Sequence, residues 1–144
     1  MKKKRERTRN RLVLLAFLYA PTVFADLAPF TSDGCSAFPD GTPSQKTLWL
    51  DCCYQHDRAY WQGGTRDQRA AADQALRACV AAVGEPEIAA LMLAGVRVGG
   101  TPYLPTRFRW GYGWPFFRGY KPLSADEITQ VDALVRAEIA PTSD

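Results

Sequence analysis

The fold of this 144-residue chain depends on one run of ten residues, Asp51-Cys52-Cys53-Tyr54-Gln55-His56-Asp57-Arg58-Ala59-Tyr60. The run contains the only histidine of the chain and two of its four cysteines. With the preceding tryptophan, its large and reactive side chains recur at the spacing of one helix face: Trp49, Cys52, Cys53, His56 and Tyr60. We therefore predict a helix from Ser44 to Trp61 that Gly63-Gly64 ends.

A second helix is predicted directly after the two glycines. Thr65 and Gln68 have the spacing of a capping box, in which two side chains satisfy the first free backbone N–H groups. The helix should run from Arg66 to about Val83 and end at Gly84. Its buried side is expected to comprise five residues: Ala72, Leu76, Cys79, Val80 and Val83.

The rest of the chain predicts two more helices around an irregular segment, so the fold class is mainly α. Pro86 can open a helix that continues to Val98. Residues 101–122 contain four prolines and eight aromatic residues, and allow at most a short hairpin. Ser124 with Glu127 predicts a C-terminal helix over 124–139, packed through Ile128, Val131, Leu134 and Val135.

Residues 1–25 have the pattern of a secretory signal peptide, and residues 26–144 should form a single domain. A basic start is followed by a short apolar run, Leu12 to Ala20, and by Val23-Phe24-Ala25 before the expected cleavage site. The apolar run is shorter than the roughly 20 residues that span a bilayer. We expect a secreted or periplasmic protein, the alternative being an uncleaved membrane anchor.

The predicted signal peptide carries most of the positive charge. It holds seven of the 18 basic residues and one of the 15 acidic ones, which leaves 11 basic and 14 acidic residues in the mature domain. A net negative domain without a basic patch does not suit nucleic acid.

All four cysteines lie in the mature domain, where export favours disulfides. Because adjacent Cys52 and Cys53 are poorly placed to pair with each other, two connectivities remain. The short Gly63-Gly64 loop should turn the first two helices antiparallel. Cys52 precedes His56 by four residues and Cys79 follows Asp73 by six, so one register brings both pairs together within about 1.5 Å each way. This register favours Cys52–Cys79, which leaves Cys35 for Cys53.

These residues together resemble the secreted phospholipase A2 family. The resemblance rests on Cys52-Cys53-x-x-His56-Asp57 followed by Tyr60, on Asp73-x-x-Leu76-x-x-Cys79, and on Gly34-Cys35-Ser36 upstream. It covers about residues 33–80. It implies a calcium loop followed by two antiparallel, disulfide-linked helices that carry the site, with further helices after them.

The resemblance also implies a catalytic set. His56 would be the general base that activates water, Asp73 would orient and stabilise its imidazolium, and Tyr60 would donate a hydrogen bond to Asp73. The implied activity is hydrolysis of the sn-2 ester of glycerophospholipids at a membrane or micelle surface. No obligate protein partner is evident.

The implied cofactor is Ca2+, which prefers six to eight oxygen ligands. Asp57 would supply a carboxylate, and Gly34, Ser36 and Phe38 would supply backbone carbonyls. The family usually has glycines in this loop, whereas this chain has Ser36 and Phe38, followed by Pro39-Asp40-Gly41. Asp33 and Asp40 are expected to be loop residues, with a supporting role near the ion as the alternative.

Three alternatives compete with these expectations. The chain could be a catalytically inactive phospholipase-like module that binds lipid or protein, because a fold does not guarantee an activity. Cys52, Cys53 and His56 could bind zinc, although adjacent cysteines on one helix are poor tetrahedral ligands. The aromatic segment 101–122 could complete the core or form a lipid-facing surface.

Overall fold

The computed structural model describes residues 27–140, and within that range the fold is mainly α. It has four helices, α1 (Leu50–Gln62), α2 (Arg66–Ala82), α3 (Pro86–Gly99) and α4 (Ala125–Ile139). Residues 27–140 contain no strand, so the optional hairpin in 101–120 does not form. None of these helices is both long and apolar enough to cross a membrane. The predicted signal peptide, residues 1–25, lies outside the described residues.

The starts of α2, α3 and α4 agree with the predictions from local sequence signals. Thr65 accepts a hydrogen bond from the Gln68 backbone N–H while the Gln68 side chain accepts one from the Thr65 N–H. Ser124 and Glu127 form the same reciprocal pair at α4. Pro86 lies in the first turn of α3, where its missing N–H costs nothing because that donor would have no partner inside the helix.

The predicted start of the first helix, Ser44, is wrong: α1 begins at Leu50. The backbone N–H of Trp49 donates to the Asp40 carbonyl at 3.0 Å, and its indole N–H donates to the Pro39 carbonyl at 2.6 Å. Thr42 and Gln45 exchange backbone hydrogen bonds of 3.0 and 3.2 Å in a tight turn. Because these groups bond within the loop, they do not join a helical ladder.

Two disulfides with the predicted pairing hold the first two helices and the preceding loop. Cys52–Cys79 joins α1 to α2 with 5.7 Å between Cα atoms, and Cys35–Cys53 ties the loop to α1 with 5.0 Å between Cα atoms. Each crosslink contributes about 2–4 kcal/mol by restricting the unfolded chain. Their presence indicates an oxidising compartment.

The apolar core has two parts. One lies between α1, α2 and α3 and includes Trp49, Leu76, Val80, Ala89 and Met92. The other lies at the far end of α1 and comprises Leu27, Trp61, Trp114 and Val131. Three expected core residues lie outside both parts: Ala72 is half-buried, Val83 is 38% exposed and Ile128 is 47% exposed. Val83 follows the last residue of α2, and α4 is buried mainly through Val131.

The aromatic segment 101–122 is partly core and partly surface. Trp110 and Trp114 are buried, and their indole N–H groups donate to the carbonyls of Gly64 at 2.9 Å and Gln62 at 2.8 Å. These bonds satisfy carbonyls at the end of α1 that lack a helical partner. Phe116 and Phe117, in contrast, are 52% and 79% exposed.

Candidate active site

His56 and Asp73 meet between the first two helices. The imidazole Nε2 lies 3.0 Å from Asp73 Oδ1, and the two side chains are 8% and 0% exposed. The antiparallel register set by the Gly63-Gly64 turn brings them together one helical turn from the Cys52–Cys79 disulfide. When Nε2–H donates to the carboxylate, the second ring nitrogen, Nδ1, carries the lone pair.

Tyr60 completes this contact from the next turn of α1. Its hydroxyl donates to the same carboxylate oxygen, Asp73 Oδ1, at 2.7 Å, and its ring lies 4.1 Å from the imidazole between centroids. Burial, followed by the hydrogen bond to Asp73, raises the pKa of Tyr60 above its ordinary value. The hydroxyl therefore keeps its proton and remains a donor.

Two arginines that sequence reasoning missed lie on the other side of Asp73. Arg97 Nε is 2.9 Å from Asp73 Oδ2, and Arg69 Nε donates to the Tyr60 hydroxyl at 3.0 Å. Arg69 precedes Asp73 by four residues on α2, so helical spacing could have indicated it. Arg97 lies on α3 and carries no comparable signal, because its position depends on how α3 packs against α2.

A cavity of about 480 Å3 opens in front of His56. His56, Asp57 and Tyr60 line it from α1, and Gly34, Ser36 and Phe38 line it from the loop. The sequence-predicted residues therefore share one cavity, except that Asp73 lies behind His56. The remaining wall is mostly apolar or small and includes Leu76, Leu91, Met92, Ala94, Gly95, Val96, Gly99 and Phe108.

Asp57 is an unusual carboxylate within this cavity. Burial, the largest cause, and the nearby Asp33 carboxylate raise the pKa of Asp57 to about 6, although a hydrogen bond from Ser32 and the charge of His56 act in the opposite direction. The Ser32 hydroxyl donates to Asp57 Oδ2 at 2.7 Å. Burial and a second carboxylate nearby both disfavour the negative charge, so binding of a proton or a cation stabilises such a group.

The loop next to Asp57 has a tightly specified backbone. Ser36 and Ala37 have φ of +43° and +25°, and Gly34 has φ of +76°. The Cys35 N–H donates to Asp40 Oδ1 at 2.8 Å, and the Ser36 hydroxyl donates to Asp33 Oδ1 at 2.7 Å. Left-handed φ at two residues other than glycine costs about 1–3 kcal/mol each. The disulfide and the Asp40 contact hold the loop in this shape.

Asp57 is the one carboxylate among the described residues that line the first cavity, and an oxygen ligand could hold calcium more readily than a transition metal. Within residues 27–140, no three His, Cys, Asp or Glu side chains are grouped to hold a metal ion. One carboxylate with backbone carbonyls does not require such a group, and oxygen donors are the ligands that calcium prefers. The zinc hypothesis is wrong, because Cys52 and Cys53 are both in disulfides.

Comparisons with known proteins find no match to this chain among protein-family models, curated proteins or solved structures.

Proposed function

We propose that this chain is a calcium-dependent lipid esterase of the secreted phospholipase A2 type. The observation that supports this most directly is the buried His56–Asp73 pair at 3.0 Å, which lies at the base of an apolar cavity beside the Asp57 carboxylate. A base, a cation-favouring carboxylate and an apolar chamber are the parts that ester hydrolysis of a lipid requires.

His56 acts as the general base on water. Asp73 holds the imidazole through Nε2, so Nδ1 accepts a proton as water attacks the ester carbonyl. The Asp73 carboxylate stabilises the imidazolium, which gives its proton to the leaving alcohol oxygen as the ester C–O bond breaks. Tyr60 and Arg97 keep the carboxylate in place. All four cysteines are paired, so no thiol is available as the nucleophile, and the proposal gives this role to water.

Asp57 and the carbonyl oxygens of Gly34, Ser36 and Phe38 would hold the calcium ion. When bound, calcium polarises the substrate carbonyl and stabilises the negative charge that develops on its oxygen. The raised pKa of Asp57 supports this assignment, since the cation would compensate a carboxylate that burial and Asp33 make unfavourable.

The substrate proposal follows from the cavity wall. The wall that α3 contributes is built from small and aliphatic side chains, which suit an acyl chain rather than a polar group. The choice of a phospholipid and of its sn-2 ester rests on the family resemblance. Phe116 and Phe117 are exposed, and exposed aromatic rings suit contact with a membrane or micelle surface. Export to the periplasm or the medium belongs to the same proposal.

The test is hydrolysis of phosphatidylcholine vesicles that carry palmitate on one position and oleate on the other, with calcium or with EDTA. We expect release of the sn-2 chain with calcium only, and its loss in His56→Gln. Gln55→Ala, at an exposed position of the same helix, is the matched control. Normal hydrolysis by a folded His56→Gln variant would refute the proposal.

A non-catalytic lipid-binding module is the second candidate. The observation that favours it is the apolar cavity itself, together with Ser36 and Phe38 at positions where the family usually has glycine. Binding of phospholipid without hydrolysis, and without calcium binding in calorimetry, would establish this alternative.

A further inference from the structure

A second cavity, of about 370 Å3, lies on the arginine side of Asp73 and shares no lining residue with the first. Its wall consists of three arginines, two tyrosines, a threonine and an alanine: Arg66, Arg69, Ala70, Arg97, Thr101, Tyr103 and Tyr120. No acidic side chain is among these described lining residues. We propose that this cavity binds a phosphate group, either of a soluble phosphomonoester or of a lipid headgroup.

The Arg69 guanidinium forms the back of this cavity and is held by four hydrogen bonds. Arg69 donates from Nε to the Tyr60 hydroxyl, from Nη1 to the Tyr120 hydroxyl, and from Nη2 to the carbonyls of Val96 and Arg97 at 2.8 and 3.0 Å. The last bond satisfies a carbonyl at the end of α3, and the Val96 carbonyl accepts from the Gly100 N–H as well. Arg69 therefore contributes fixed positive charge and positions Tyr120, while four of its five N–H donors are occupied.

The donors for a ligand come from the other two arginines. Arg97 forms an ion pair with Asp73 through Nε at 2.9 Å and donates from Nη2 to the Ala70 carbonyl. Nη1 and the second Nη2–H are left for a ligand, and the side chain is 42% exposed. Arg66 is exposed and its guanidinium lies 5.4 Å from the Tyr120 ring centroid. Within residues 27–140, Arg66 forms no ion pair with a carboxylate, so its charge is available to an anion.

Hydroxyl groups add to these donors. The Tyr120 hydroxyl accepts from Arg69, so its own proton is directed to another acceptor. Tyr103 packs edge-on against Tyr120 with 5.7 Å between ring centroids, which places its ring in the same wall. Two guanidinium groups and a hydroxyl match the several oxygens of a phosphate better than they match a single carboxylate.

The charge balance favours the same ligand. Three arginines surround the cavity, whereas among residues 27–140 Asp73 is the one carboxylate that forms ion pairs with them, through Arg97 at 2.9 Å and Arg69 at 4.0 Å. The cavity therefore retains net positive charge, which an anion would compensate. Phosphate binding can be measured apart from hydrolysis, because Arg66 and Tyr120 line this cavity and have no part in the proposed catalytic step.

The test is calorimetric titration of the whole folded protein with inorganic phosphate, without calcium and at fixed ionic strength. We expect Arg66→Gln to weaken binding about tenfold, the usual effect of losing one charge-assisted contact. Arg77→Gln is the matched control, because Arg77 is an exposed arginine of the same helix that lies outside the cavity. Tyr120→Phe, which removes one hydroxyl, should weaken binding as well.

A second arm identifies the source of the phosphate. Vesicles of phosphatidylcholine with and without phosphatidate, a lipid phosphomonoester, are sedimented with each variant. Retention that requires phosphatidate and is lost in Arg66→Gln assigns a headgroup, whereas binding of inorganic phosphate without such retention assigns a soluble ligand. The proposal is wrong if neither probe binds, or if Arg66→Gln and Arg77→Gln weaken binding equally, which would indicate general charge attraction only.

Discussion

The two cavities lie on either side of the same buried carboxylate, yet their walls have opposite chemistry. The first is mainly apolar and contains His56 and the Asp57 carboxylate. The second is lined by arginine and tyrosine side chains. Asp73 uses Oδ1 for His56 and Tyr60 and Oδ2 for Arg97.

This difference shows how the polar His56–Asp73 pair can lie next to an apolar cavity. A fully buried carboxylate is costly unless it is paired and hydrogen-bonded. Arg69 and Arg97 supply that compensation from the side of the second cavity, so the charge of Asp73 is balanced without a cationic side chain in the apolar wall. The arginines of the polar cavity therefore help to hold Asp73, and through it His56, at the edge of the apolar one.

The largest effect should come from Asp73→Asn, which alters both cavities at once. We expect hydrolysis to fall about 10³–10⁴-fold, because the imidazole loses its orientation and its counter-charge. Loss of the buried partner of two arginines should lower the free energy of unfolding by about 3–5 kcal/mol. Kinetics and urea denaturation measure the two effects. Asp67→Asn, at an exposed position of the same helix, should change neither, and a fully active Asp73→Asn would contradict the shared role of Asp73.

Asp57→Asn should affect the first cavity only. Calcium affinity should fall about 10²-fold or more, because one of its ligands loses its charge, while phosphate binding in the second cavity stays unchanged. In the parent protein, calcium affinity should weaken as the pH falls through about 6, since the pKa of Asp57 is raised to about 6 and the protonated carboxyl cannot bind the ion.

Calorimetry at pH 5, 6 and 7.5, chosen to bracket about one unit around that pKa, measures this dependence. Asp51→Asn, on an exposed position of α1, is the control. Calcium binding that is the same at all three pH values, or in Asp57→Asn, would remove Asp57 from the calcium site.

Gly95→Phe should reduce activity toward long acyl chains by about 10–100-fold and leave short-chain esters less affected. Gly95 lines the first cavity, and a Cβ there meets no atom within 4 Å, so a large side chain would occupy the space proposed for the acyl chain. Gly95→Ala, which fits without contact, is the control. Equal activity of the two variants on long chains would place the acyl chain elsewhere.

The smallest effect is expected for Glu127→Gln, because Glu127 lines neither cavity. Glu127 pairs with Arg118 through both carboxylate oxygens, and this hydrogen bonding lowers the pKa of Glu127 to about 2. Its contribution, about 1–2 kcal/mol, should be present above pH 4.5 and disappear as the pH falls toward 2. Denaturation of both proteins at pH 7 and at pH 2 measures it, and activity per folded molecule should not change.

The aromatic segment shows where sequence patterns stop being informative. Its composition suited a core segment and a lipid-facing surface equally, and the structure shows only that some rings are buried and others exposed, Trp110 and Phe117 being examples. The buried tryptophans are those whose indole N–H groups bond to the carbonyls of Gly64 and Gln62, around the end of α1. Amino-acid composition does not show which aromatic side chains come close enough to form such bonds.

The sequence by itself determined the features that arise from neighbours along the chain. Capping pairs specify the starts of α2 and α4, and the short glycine turn specifies an antiparallel register that brings Cys52 to Cys79 and His56 to Asp73. Only the tertiary structure decided that α1 begins at Leu50 and that Arg97 reaches Asp73. The reason is physical: caps, turns and helical spacing act over a few residues, whereas loop hydrogen bonds and the packing of α3 on α2 join groups that are distant in the chain.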